Sequence, residues 1–154
     1  LQQHAPKGMT FKLPTEAQWE YACRSGTTDT FYFGETINAD LVNYNAKYAG
    51  GGGTMGRFRG ETTPAGMFPS NNWGLHDMHG NLYEWCEDWY DRNFYKNGPK
   101  EDPVNRQAPK NRASRVVRGG AWTLTQCLCR SAYRYWALPP TRSGSIGVRL
   151  ALDF

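Results

Sequence analysis

The chain has 154 residues, of which 14% are aromatic and only 21% charged, with 17 glycines, 9 prolines and a mean hydropathy of −0.72. That length suits one domain. So many Gly and Pro exclude a coiled coil or a helical bundle, no stretch is apolar enough to span a membrane, and the aromatic content is too high for a disordered chain. The net charge of +4 is unevenly spread: residues 1–103 carry nine Lys/Arg against thirteen Asp/Glu, and residues 104–154 carry nine against one. A basic half of this kind is one footprint of polyanion binding. Here the cations are mostly Arg, set among aromatics and Gly, which fits guanidiniums forked onto carbonyls and carboxylates, and nucleic-acid binding is not expected.

Residues 14–24 (PTEAQWEYACR) predict one helix. Thr15 is its cap with Gln18 as capping-box partner, Glu16 favours the dipole, Trp19, Ala22 and Cys23 share a face, and Ser25-Gly26 closes it. Residues 27–72 read as loop with short strands such as FYFG at 31–34, and the run Gly50 to Gly53 predicts a mobile loop. Residues 77–81 (DMHGN) have turn chemistry, and 82–90 (LYEWCEDWY) alternate like a strand. Residues 91–114 read as a polar loop, 115–122 as a strand leading into a glycine pair, and 146–154 as a closing strand. The result is an α+β fold with little regular structure, in which side chains must satisfy loop backbone groups.

Four cysteines, at 23, 86, 127 and 129, permit two disulfides without demanding them, and no Cys-x-x-Cys pair favours zinc. His76 and His79 sit three apart beside the 77–81 turn. They are a possible metal pair, or part of a structural segment.

Four blocks carry a resemblance: LPTEAQWEYACR at 13–24, WGLHDMHGNLYEW at 73–85, RVVRGGAW at 115–122 and IGVRL at 146–150. In this order and spacing they resemble the formylglycine-generating enzyme (sulfatase-modifying factor) family. The resemblance implies a loop-rich, C-type-lectin-like fold over 1–154 as a single domain lacking the family's N-terminal portion, which is either absent or supplied by another chain. On this resemblance Trp19, Trp73, Trp85, Trp89 and Trp122 are scaffold, and Arg118, Arg130, Arg134, Arg142 and Arg149 are architectural.

The oxygen-dependent enzymes of the family bind copper(I) through two cysteines four residues apart in the segment after the glycine pair. Here those places fall on Leu124 and at or near Cys129, so the pair is not matched. A related branch uses iron on a histidine set that His4, His76 and His79 do not reproduce. No copper or iron is expected, no catalytic residue is assigned, and the reading leans away from an enzyme. The resemblance does imply a structural calcium ion held by the side chains of Asp77 and Glu84 and the carbonyls of Gly80 and Leu82, oxygen donors that suit a hard cation. A turn held by hydrogen bonds alone is the other reading of these residues.

The stretch 115–149 also resembles the variable proteins of diversity-generating retroelements, which share this fold. Their framework is kept here as Arg118-Gly119-Gly120-Ala121-Trp122, Cys129-Arg130-Ser131-Ala132, Arg134, Pro139, Arg142 and Ile146-Gly147-Val148-Arg149. At most of the Asn-rich places of that framework stand residues whose codons are reached from Asn by changing adenines alone, while Trp136 and Gln126 do not fit that rule as simply. The resemblance implies a ligand-binding set of Thr123, Leu124, Thr125, Leu128, Tyr133, Tyr135, Trp136, Leu138, Thr141, Ser143 and Ser145. Tyr and Trp supply rigid amphipathic area and Ser/Thr adaptable polar contacts, the mixture that paratopes use. The expected function is a non-catalytic module that binds a protein or other macromolecular ligand, with no membrane partner. A formylglycine-generating or related oxidative enzyme, or an inactive paralogue that partners another protein, is the alternative.

Overall fold

The computed structural model describes residues 2–48, 54–111 and 113–153, so the glycine run 50–53 lies outside the described residues. Helix α1 spans Glu16–Arg24. Thr15 Oγ1 accepts the Gln18 N–H at 3.1 Å and Gln18 returns its side-chain oxygen to the Thr15 N–H at 3.0 Å, closing the expected capping box. Ser25, left-handed at φ 45°, ends the helix.

A short strand, β1 (Thr10–Lys12), precedes α1. The central strand is β2 (Tyr83–Trp89), where alternation predicts one. After it come the single turn α2 (Phe94–Asn97), inside the stretch expected to be loop, and then β3 (Arg115–Arg118) and β4 (Tyr135–Ala137). These strands and β5 (Ile146–Gly147) form a sheet ordered β4-β3-β2-β5, antiparallel except for the parallel β2–β5 pair. A second sheet pairs β1 with β6 (Ala151–Asp153).

Two expected strands differ. The 146–154 strand breaks into β5 and β6, because the Arg149 guanidinium is drawn to Glu84 and to the His76 carbonyl, which pulls the chain out of the ladder. FYFG at 31–34 is a tight turn, with Phe31 and Gly34 exchanging hydrogen bonds of 2.9 and 3.1 Å.

Three apolar clusters form the core. Trp19 and Cys23 of α1 meet Met78, Cys86 and Val116; Phe31, Ile37, Val42 and Tyr44 form a second group; Tyr83, Val117, Ala121 and Ala137 form a third. Trp19 is buried scaffold as expected, whereas Trp73 is 47% exposed and lies edge-on against exposed Tyr21 with ring centroids 4.8 Å apart. Trp73 follows Asn71, whose side-chain oxygen accepts the Trp73 and Leu75 N–H groups, and this turn lifts the indole to the surface. All four cysteines are free thiols.

Two glycines are dictated by close approach. A Cβ on Gly80 (φ +71°) would overlap the Asn43 carbonyl, and one on Gly120 (φ +79°) would lie 2.6 Å from the Cys129 sulfur. Asparagines satisfy the loops: Asn71 Nδ2 donates to the Ala22 carbonyl, and Asn43 and Asn81 bond each other and the 61–63 segment. Among the described residues no helix is long and apolar enough to cross a membrane.

Candidate functional site: an aromatic face on the edge strand

Strand β4 is one of the two edge strands of the four-stranded sheet, so among the described residues no further strand of that sheet lies beyond it. In register, Tyr135 lies opposite Val117, and Val117 lies opposite Trp85. Tyr83, two residues before Trp85, shares that face. The rings of Tyr83 and Tyr135 stack at 5.4 Å and 18°, Tyr133 and Tyr135 at 6.4 Å and 14°, and Tyr135 and Trp136 at 5.8 Å and 17°. Offset stacking of this kind stiffens each ring at low entropic cost. Burial pushes the Tyr83 and Tyr133 hydroxyls up, so both remain protonated donors.

Tyr135, Trp136 and Leu138 are 43%, 38% and 43% exposed, and Thr123, Thr141 and Ser143 are also exposed. Thr125, Leu128, Tyr133 and Ser145 are half-buried. Leu124 is half-buried as well: it packs against two of the three core clusters, its N–H reaching the Ala121 carbonyl and its own carbonyl accepting from the Asn45 N–H. Tyr83, buried at 6% exposure, is the stacking partner beneath Tyr135 that the sequence set lacks, and the alternation of LYEWCEDWY carries the signal for it.

Buried charge holds this face to the helix. Glu16, 1% exposed, takes Arg134 on both oxygens at 2.7 Å, with Arg118 Nε 3.6 Å away. Arg118, fully buried, also pairs with Glu20 and donates to the Ser131 and Tyr133 carbonyls at 2.8 Å each. Arg130 Nε donates to the Cys127 carbonyl at 2.7 Å. The arginines expected to be architectural thus include three, Arg118, Arg134 and Arg149, that bond carboxylates.

Three of the four expected metal residues, Asp77, Leu82 and Glu84, line a cavity of about 220 Å³, and Gly80 is not part of its lining. Asp77, left-handed at φ 58°, accepts the Gly66 N–H on Oδ2 at 2.7 Å, and its buried Oδ1 has no partner. Both Glu84 oxygens are engaged, by Arg149 at 2.8 and 2.9 Å and by the Trp19 indole N–H at 2.7 Å. Asp77 Oδ1 is thus one carboxylate oxygen left open to a cation, whereas the Glu84 carboxylate is already neutralised. Among the described residues no group of three His, Cys, Asp or Glu is placed to hold a metal. His76 Nδ1 lies 2.7 Å from the Phe68 carbonyl. His79 is buried with Nδ1 2.8 Å from the Cys129 carbonyl and Nε2 accepting the Tyr32 N–H at 3.1 Å, so its ring is structural. Cys127 is exposed, whereas Cys129 is buried and its thiol is pushed up to about 12 by desolvation.

The family model for the sulfatase-modifying factor enzyme 1-like domain matches residues 2–154. The chain is 32% identical to the formylglycine-generating enzyme of Bos taurus, over 92% of this chain and 39% of that protein. It is 38% identical to a protein of Chlamydia caviae named serine/threonine-protein kinase pkn1, over 91% of this chain and 21% of that one. Among solved structures, PvdO from Pseudomonas aeruginosa superposes with a TM-score of 0.76 at 28% identity, covering 96% of this chain and 54% of that one. Treponema denticola variable protein 1 superposes at 0.66 with 26% identity, covering 92% and 47%. The chain thus spans about half the length of these solved structures and a smaller share of the curated relatives. With its four sequence blocks, loop-rich α+β architecture and these relatives, the chain belongs to the sulfatase-modifying factor (formylglycine-generating enzyme) family.

Proposed function

We propose that the protein is a non-catalytic binding module that presents the residues of 123–145 to a protein or other macromolecular ligand. The observation that carries this reading is the stacked Tyr83–Tyr135–Trp136 array on an edge strand, with Leu138 exposed beside it. Exposed apolar and aromatic groups gathered on one surface mark contact sites. The likeness to a variable protein from Treponema denticola supports the same reading. So does the placing of the two neighbouring cysteines, because Cys129 is buried with its thiol donating to the Thr125 carbonyl while Cys127 is exposed.

The genomic DNA tests the reading. A near-identical, Asn-richer copy of the codons for 115–149 beside a reverse-transcriptase gene is the expected finding. Its absence favours an inactive paralogue that partners another protein, and stoichiometric copper(I) binding by Cys127 and Cys129 would favour the oxidative enzyme. Calcium at Asp77 with the carbonyls of Gly80 and Leu82 is part of the proposal, where Glu84 joins only if Arg149 releases it. The ion's part is to order the turn, with no chemical step assigned to it.

A further inference from the structure

The face that carries Tyr83 and Tyr135 continues along the sheet past Ala137. Arg115 lies opposite Ala137, and Trp85 opposite Val117, so both project to that same face. There an open pocket of about 470 Å³ is bounded by Leu13, Trp85 and Pro139 and rimmed by Lys12, Glu87 and Arg115. Its floor is apolar and its rim is mostly cationic.

Arg115 differs from the other guanidiniums on the framework strands. Arg118, Arg134 and Arg149 each meet a carboxylate. Arg115 is half-buried, spread over the Trp89 ring at 3.7 Å from its centroid, and donates one nitrogen to the Glu87 carbonyl. Among the described residues it has no carboxylate within ion-pair distance. The nearby acid does not serve it, because Glu87 turns to Arg106 at 3.1 Å. The other rim cation, Lys12, is held by Asp153 at 2.8 Å. One planar, partly desolvated cation therefore stands unneutralised beside an indole and two aliphatic side chains.

We infer that this pocket binds an apolar carboxylic acid, its carboxylate on Arg115 and its hydrocarbon or aryl body against Trp85, Leu13 and Pro139. A neutral apolar ligand leaves the guanidinium without its counter-charge, and a small inorganic anion leaves the apolar floor wet. The volume lies toward the small end of ligand pockets and suits one aromatic side chain with its acid group. The acid has two sources, a free metabolite or the C-terminal residue of a polypeptide. The site stands apart from the binding role of 123–145, since Pro139 alone of these pocket residues belongs to that stretch.

The test titrates the full chain, by calorimetry and tryptophan fluorescence, with four probes: hydrocinnamate, its neutral amide, the peptide Gly-Gly-Phe, and that peptide as its C-terminal amide. The expected result is saturable binding of at least one acid, roughly tenfold or more tighter than its amide. Salt should weaken the acid and leave the amide unchanged. Arg115→Gln should bring the acid down to the affinity of its amide, and Tyr135→Ala should leave both unchanged. The salt series uses the unaltered chain, so it stands even if the Arg115 variant folds poorly. Preference for the free acid or for the peptide identifies the source, and either supports the inference. Equal affinity for acid and amide, a salt-independent preference, or no saturable binding up to millimolar probe overturns it. Loss of binding in Tyr135→Ala would overturn it as well, by placing the probe on the aromatic face.

Discussion

Glu16→Gln keeps the side chain's shape and removes one charge from the interior. The carboxylate it replaces is 1% exposed, takes Arg134 at 2.7 Å on each oxygen and faces Arg118 at 3.6 Å. After the change two guanidiniums remain with Glu20 as their remaining carboxylate partner, through Arg118. Removing one partner of a buried ion pair costs about 3–5 kcal/mol. Arg134 keeps 19% side-chain exposure and regains some water, so the lower end of that range, about 3 kcal/mol, applies. For a chain of this size each kcal/mol moves Tm by about 2–4 °C, which gives a loss of roughly 6–12 °C. The assay is a thermal melt followed by circular dichroism near neutral pH. Arg134→Met alone should also destabilise, and the double variant should lose less than the sum of the two, because it leaves no unpaired Glu16 charge. A melt within about 2 °C of the parent, or strict additivity in the cycle, would refute the reasoning.

The face and the core separate in the same assay. Tyr135→Ala and Leu138→Ala should each cost about 1 kcal/mol or less, since both side chains are well exposed, whereas Leu124→Ala should cost about 2 kcal/mol from its inward packing. Equal losses at all three would place the face in the core. Burial lowers His79 from its ordinary 6.5 to about 4, so the ring is neutral in the folded state. Its contribution is fully present above pH 6.5 and falls away as acid protonates the unfolded chain first, flattening near pH 4 after a loss of about 3 kcal/mol. Urea midpoints across that window should follow this slope, and His79→Gln should flatten it; an unchanged slope would assign the acid sensitivity elsewhere. Calcium at millimolar concentration should raise Tm and chelator should reverse it, with Asp77→Asn insensitive to both; a parent indifferent to calcium would leave Asp77 as a turn residue alone.

Where structure is local, the sequence is legible. The capping box of α1, the alternation of β2 and the glycine pair after β3 depend on residues a few positions apart. The sequence places Glu16 in the first turn, where a dipole role can be read. Its burial cannot be read there, because Arg134 lies 118 positions away. The break between β5 and β6 has a similar origin in the Arg149–Glu84 contact across 65 positions. Leu124 and Trp73 show a different limit. Periodicity does not say which way a loop residue points when side-chain and backbone hydrogen bonds set its direction. In the aromatic face Tyr135 and Trp136 are legible by composition, while Tyr83 joins them through strand register, a pairing known only once β2, β3 and β4 are aligned.

The contacts that tie the 123–145 segment to the body run largely through its backbone oxygens. Arg118 grips the carbonyls of Ser131 and Tyr133, Asn45 that of Leu124, and Tyr83 that of Ser145. Every amino acid carries that carbonyl, so these anchors are indifferent to which residue occupies the position. The outward side chains can be exchanged while the path of the chain beneath them is kept, and the fold thereby separates what holds the surface in place from what the surface displays.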